Sequence, residues 1–170
     1  FGADMGDNPG RLMRYEVGGV RLLMDYAHNP DGLRGLLEVA HHLRGAGRLG
    51  LLLGQAGNRQ VGDIERLAAT AAGARPDLVV IKETEGFLRG RAPGEVPAIL
   101  RAALLGSGYA ESALTVRLTE VDAVRAALAW ACAGDVLVLP VHARVARNEV
   151  VALIERMRRN GWRAGQALPG

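Results

Sequence analysis

Aromatic residues make up only 4% of this 170-residue chain: two Phe, two Trp and three Tyr. That scarcity, beside abundant Ala, Leu, Val and Gly, argues against an aromatic-rich β-sandwich and for helices packed closely on a sheet. Cysteine is rarer still. Cys132 is the only one, so no internal disulfide can form; set in an apolar, helix-like run, it reads as a small buried apolar residue. Lysine also occurs once, at Lys82, and every other basic side chain among the 21 is Arg. No Gly-Lys-Ser/Thr is present, which excludes a phosphate-binding P-loop on this chain. No apolar run is long enough to cross a bilayer and nothing resembles a signal peptide, so the expected setting is a reducing cytoplasm with no membrane partner. The net charge is a modest +3. The cluster Arg156, Arg158, Arg159 and Arg163 reads as a solvated helix face, and no stacking platform or helix-turn-helix pattern suggests a nucleic-acid partner.

What is present is alternation. Tyr15 to Met24 reads as a hairpin turning at Gly18-Gly19. A helix with apolar spacing follows over Leu33–Leu43, then a short apolar strand at Leu49–Leu53, a helix around Ile64–Ala72 and an unbroken apolar strand at Asp77–Ile81. The pattern repeats with a loop from Glu83 to Pro93, a helix over Glu95–Leu105, a strand at Leu114–Leu118 and a helix over Val121–Ala133. A buried strand at Asp135–Leu139 and a final helix over Asn148–Arg158 complete it. Strands alternating with helices predict an α/β fold: a Rossmann-like three-layer sandwich, with a mostly parallel sheet, helices on both faces and an amino-terminal hairpin. The 170 residues form a single domain, with residues 1–8 and 160–170 expected as loosely held ends.

Asp25-Tyr-Ala-His-Asn-Pro-Asp-Gly32 is the most informative stretch. Asp25 and His28 sit between the end of a strand and the start of a helix, where open α/β sheets place their ligands. Asp25 can accept hydrogen bonds from ribose hydroxyls, His28 can donate to a phosphate, and a helix amino terminus favours anions. The plainer alternative is that Asp25 and Asn29 cap the turn and His28 packs. Arg11, in Pro9-Gly10-Arg11, is either a phosphate-directed guanidinium or a surface arginine. Gly54-Gln-Ala-Gly57-Asn58-Arg59 lacks the third glycine of the dinucleotide fingerprint and reads as a tight turn. Arg89 and Arg91 flank Gly90 on a loop and can clamp a carboxylate or phosphate, or pair with Glu83 and Glu85. His142 and Arg144 follow the last strand at the same sheet edge, and His41 and His42 lie mid-helix, solvated or packed. No cluster has metal-ligand spacing.

Taken in order, these segments resemble the carboxy-terminal domain of the Mur ligase superfamily. Pro9-Gly10-Arg11 resembles its Pro-Gly-Arg element, residues 25–32 its Asp-Tyr-Ala-His motif, and Gly57-Asn58-Arg59 its Gly-Asp-Arg turn with Asn in place of Asp. Leu88-Arg-Gly-Arg91 followed by Gly94-Glu95 looks most like the ligase half of cyanophycin synthetases, with the peptidoglycan and folylpolyglutamate branches remaining open. The resemblance implies an ATP-dependent carboxylate–amine ligase acting through an acyl phosphate. It assigns Arg11, Asp25, His28 and Asn29 to the nucleotide and Asn58, Arg89 and Arg91 to the amino-acid substrate. ATP and Mg would be held mostly by a P-loop central domain, the expected partner, so this chain alone should not ligate. The alternative is a freestanding, non-catalytic nucleotide- or protein-binding module that kept the fold.

Overall fold

The computed structural model describes residues 12–84 and 86–170. Gly18 and Gly19 both take positive φ, 60° and 89°, giving a two-residue turn whose twist suits a hairpin. It joins β1 (Met13–Val17) to β2 (Val20–Asp25) in antiparallel register, Val17 opposite Val20. The remaining order is α1 (Pro30–Arg44), β3 (Leu49–Leu53), α2 (Val61–Gly73), β4 (Leu78–Lys82), α3 (Glu95–Gly106), β5 (Leu114–Arg117), α4 (Glu120–Trp130), β6 (Val136–Pro140) and α5 (Arg144–Arg159). Six strands form one sheet in the order β1-β2-β6-β3-β4-β5, and every pairing except β1 with β2 is parallel. The α/β architecture is therefore the expected one.

The strand sequences explain the layering. β3, β4 and β6 are buried along their whole length, as sheets covered on both faces require. Alternate residues feed opposite layers. Leu51, Leu53, Val79 and Ile81 pack under α1, α2 and α3, whereas Leu52, Val80, Leu137 and Leu139 pack under α4 and α5. β6, last in sequence, lies between β2 and β3. The chain leaving β2 and β3 turns to one face and the chain leaving β6 to the other, so a crevice opens at their carboxyl ends.

Asn29 and Pro30 start α1 as their chemistry predicts: Asn29 Oδ1 accepts from Gly32 N at 2.8 Å, and Pro30 occupies the first turn. Asn29→Ala should cost about 1 kcal/mol, read as a lowered midpoint in chemical unfolding.

Three local expectations are corrected. α5 begins at Arg144, not Asn148, because the Glu120 carboxylate accepts from His142 N and Ala143 N, both at 2.8 Å, and fixes the chain just ahead of the helix. α4 ends at Trp130, where Arg48 Nη2 donates to Trp130 O at 3.1 Å. Cys132 is exposed, with Sγ 3.2 Å from Arg48 Nη2. Within 160–170, Trp162 is 4% exposed, its ring lies over Gly18, and Ala164 N donates to Gly18 O at 3.1 Å. A Cβ on Gly18 would come within 2.4 Å of that indole, so the turn glycine serves close approach as well as positive φ.

Candidate functional site

A cavity of about 240 Å³ opens at the carboxyl ends of β2, β6, β3 and β4. Tyr26 and His28 follow β2, Gln55 and Arg59 follow β3, Thr84 and Phe87 follow β4, and His142 follows β6. A larger groove of about 530 Å³ lies between α1 and α2, lined only by those helices and Ala74; no strand end contributes to it.

Backbone and side-chain hydrogen bonds set the shape of the cavity. Val141 N donates to Asp25 O at 2.8 Å, joining the β2 and β6 exits. Asp25 Oδ1 accepts from Tyr26 N at 2.6 Å and so shapes the turn. Gln55 bridges two loops, its Nε2 donating to His28 O at 3.0 Å and its Oε1 accepting from Ala56 N at 3.1 Å. Gly57 N donates to Phe87 O at 2.8 Å, while Arg91 Nε and Nη2 donate to Gly57 O and Arg59 O at 2.8 and 2.9 Å. The post-β3 and post-β4 loops are thus one unit.

Thr84 stands apart. It is 3% exposed, and its Oγ1 has no hydrogen-bond partner among the described residues. A buried hydroxyl left so carries a desolvation penalty.

Beneath the cavity lies a buried ion pair. Lys82 and Glu120 are both fully buried and in contact. Lys82 Nζ lies 3.2 Å from His142 Nδ1, and His142 Nε2 lies 2.9 Å from Ala27 O. Burial drives the Glu120 carboxyl up, but the Lys82 ammonium and two backbone N–H donors win and hold it below the ordinary carboxylate range. Burial and the neighbouring Lys82 charge lower His142 from 6.5 to about 4.

That shift has a stability consequence. The unfolded chain takes up the His142 proton before the folded one does, so the contribution is intact above about pH 6.5 and is lost as pH falls towards about 4. Unfolding midpoints measured across that window should fall for the native chain and fall less steeply for His142→Gln.

Of the residues expected in the site, His28 lines the cavity, exposed, with Nδ1 3.4 Å from Tyr26 O. Asp25 and Asn29 flank it in the same turn, and the Asn29 side chain caps α1. Asn58 is exposed beside the lining Arg59. Arg89 takes positive φ, 54°, with its guanidinium 5.1 Å from the centre of the Phe87 ring. Arg91 is committed to the two carbonyls above and to Glu95. Pairing with Glu83 is overturned: Glu83 is buried and its Oε1 accepts from Gly94 N at 2.7 Å. His41 and His42 are exposed on α1. Arg11 lies outside the described residues. Sequence reasoning missed Thr84, Gln55 and Phe87 as lining, and missed the Lys82–Glu120 pair altogether. The one signal for the pair was a lone lysine closing an otherwise apolar strand.

Known proteins share this fold. A family model described as Mur ligase, glutamate ligase domain, matches residues 10–140. The chain belongs to the Mur ligase family. A UDP-N-acetylmuramoyl-L-alanyl-D-glutamate–2,6-diaminopimelate ligase of Geobacter sulfurreducens is 31% identical over 142 residues, covering 77% of this chain and 28% of that protein. A cyanophycin synthetase of Crocosphaera subtropica is 35% identical over 100 residues, 59% of this chain and 11% of that protein. Among solved structures, a bifunctional folylpolyglutamate synthase/dihydrofolate synthase of Yersinia pestis, complexed with AMPPNP and Mn ion, superposes with a TM-score of 0.64 and 22% identity, covering 85% of this chain and 31% of that one. This Mur ligase chain therefore spans about a third or less of each of these three proteins. The family match includes Lys82 and Glu120 and stops just before His142.

Proposed function

We propose that this chain is the carboxy-terminal domain of an ATP-dependent acid–amino acid ligase, closing over the nucleotide and presenting the incoming amino acid. The observation that carries the reading is the convergence of four parallel strand ends on one cavity lined by Tyr26, His28, Gln55, Arg59, Phe87 and His142. Its volume of about 240 Å³ lies below the ~300–1,000 Å³ typical of larger ligands and suits an amino acid rather than a nucleotide. Tyr26 and Phe87 form its walls, and Arg59 supplies a guanidinium for a carboxylate.

The nucleotide belongs beside it. Asp25 accepts its ribose hydroxyls, His28 and the α1 amino terminus face its phosphates, and Asn29 completes that side; the family resemblance assigns Arg11 to the same phosphates. Asn58 and Arg89 flank the amino-acid side, with Arg91 bracing the two loops that carry them.

In the reaction a carboxylate oxygen of the acceptor attacks the terminal phosphorus of ATP, and ADP leaves. The amine then attacks the acyl carbon, phosphate departs and the amine loses a proton. Clamping the charge on the transferring phosphoryl group is the principal catalytic device in such chemistry. Among the described residues no group of three His, Cys, Asp or Glu could hold a metal ion, and the sequence has no P-loop. The family resemblance assigns Mg and the P-loop to a central domain elsewhere in the ligase, and by this proposal the chain alone is inactive. A ligase of this kind works in the cytoplasm; among the described residues no helix is long and apolar enough to cross a membrane.

Calorimetric titration of the chain with ADP, at several salt concentrations because the sequence pI is about 9.6, tests the nucleotide placement. Weak binding that Asp25→Ala abolishes is the expected result; binding indifferent to Asp25→Ala contradicts it.

A further inference from the structure

Lys82, Glu120 and His142 play no part in the contacts assigned to nucleotide or amino acid, yet they are the most thoroughly buried ionisable cluster under the site. An ammonium donates hydrogen bonds and cannot accept them. With Lys82 Nζ 3.2 Å away, His142 Nδ1 is the acceptor, so the ring proton sits on Nε2 and is donated to Ala27 O at 2.9 Å. The groups facing the ring come from three elements: Lys82 from β4, Glu120 from α4 and His28 from the turn after β2; Arg147 of α5 donates to the His142 backbone carbonyl at 2.7 Å. Glu120 fixes the same segment from its other side through His142 N and Ala143 N.

Stability alone does not account for such an arrangement. Burying two charges carries a desolvation penalty that their attraction roughly offsets, and an apolar pair of similar size would hold the fold about as well. An apolar pair would, however, provide neither a donor to Nδ1 nor acceptors for two backbone N–H groups.

We propose that Lys82 and Glu120 are positioning residues: they set the tautomer of His142, which through Ala27 holds the Asp25–Asn29 turn in its place at the cavity. The kinetic consequence rests on the ligase reading; the structural one does not, and the test separates them.

The experiment compares the native chain with the paired variant Lys82→Met/Glu120→Gln, which removes both charges together and avoids stranding either one. In nitrogen-15 NMR the native chain should show His142 as the single Nε2–H tautomer, titrating near 4. In the folded paired variant His142 should titrate well above that value and lose its single tautomer, and the amide signals of Ala27 and His28 should move. In a ligase carrying the same pair of changes, amino-acid-dependent ADP release should fall about a hundredfold, the scale associated with small misplacement of a site. A folded paired variant that keeps the Nε2–H tautomer and unshifted turn signals overturns the proposal. Shifted turn signals with undiminished ADP release leave the positioning standing and count against the role given to the turn in ligation.

Discussion

Replacing Glu120 with alanine should destabilise the chain by about 3–5 kcal/mol, the range for breaking a buried ion pair by removing one partner. The side chains of Lys82 and Glu120 are both fully buried. Without the carboxylate, the ammonium remains in the interior with its principal counter-charge gone, and His142 N and Ala143 N lose their acceptor. The loss is read as a lowered midpoint in urea unfolding. Glu120→Gln keeps an acceptor for one N–H and should cost less, and the paired Lys82→Met/Glu120→Gln change less than Glu120→Ala. A Glu120→Ala effect of only about 1 kcal/mol, the scale of an exposed pair, would contradict the burial of this cluster beneath the cavity.

Gly57→Ala should be damaging for a steric reason. A Cβ at this position would lie 1.7 Å from Leu88 O and 2.6 Å from Leu88 C. Both are backbone atoms, so no side-chain rotation relieves the clash. The two loops must separate, which breaks the Gly57 N–Phe87 O and Arg91–Gly57 O hydrogen bonds and moves Phe87 in the cavity wall. The expected destabilisation is about 1–3 kcal/mol, the usual scale of overpacking, with altered amide signals from Gln55 to Arg91. Gly35→Ala is the matched control. Gly35 is exposed within α1, and a Cβ there would meet nothing within 4 Å, so that change should stabilise by about 0.5–1 kcal/mol.

The contrast between these two glycines marks where sequence reading succeeds and where it stops. Features encoded within a few residues are legible. The Asn29-Pro30 start of α1, the Gly18-Gly19 turn and the apolar runs of β3, β4 and β6 each carry their own local reason. The family resemblance is legible too, since it rests on short ordered motifs, and the match over residues 10–140 agrees with it.

Features made by residues far apart are not. The start of α5 depends on Glu120, more than twenty residues earlier, and the exposure of Cys132 follows from where Arg48 and Asp135 draw the chain. Arg91 finds Glu95 and two carbonyls rather than Glu83, because the helix start places Glu95 one turn on. Insertion of β6 between β2 and β3 brings His142 beside Ala27, and no periodicity announces it. The place of Thr84 in the cavity lining becomes visible only once four strand ends meet.

The function proposed for this chain turns on the Asp25–Asn29 segment serving an ATP-dependent ligase. Amino-acid-dependent ADP release decides it, measured on a ligase assembled from this chain and the proposed P-loop domain, native and with Asp25→Ala or His28→Ala. Release is expected in the native ligase, with a loss of about a hundredfold or more in each variant, the scale of removing a group that contacts the reacting phosphates or fixes them. Unchanged kinetics in both variants would contradict it.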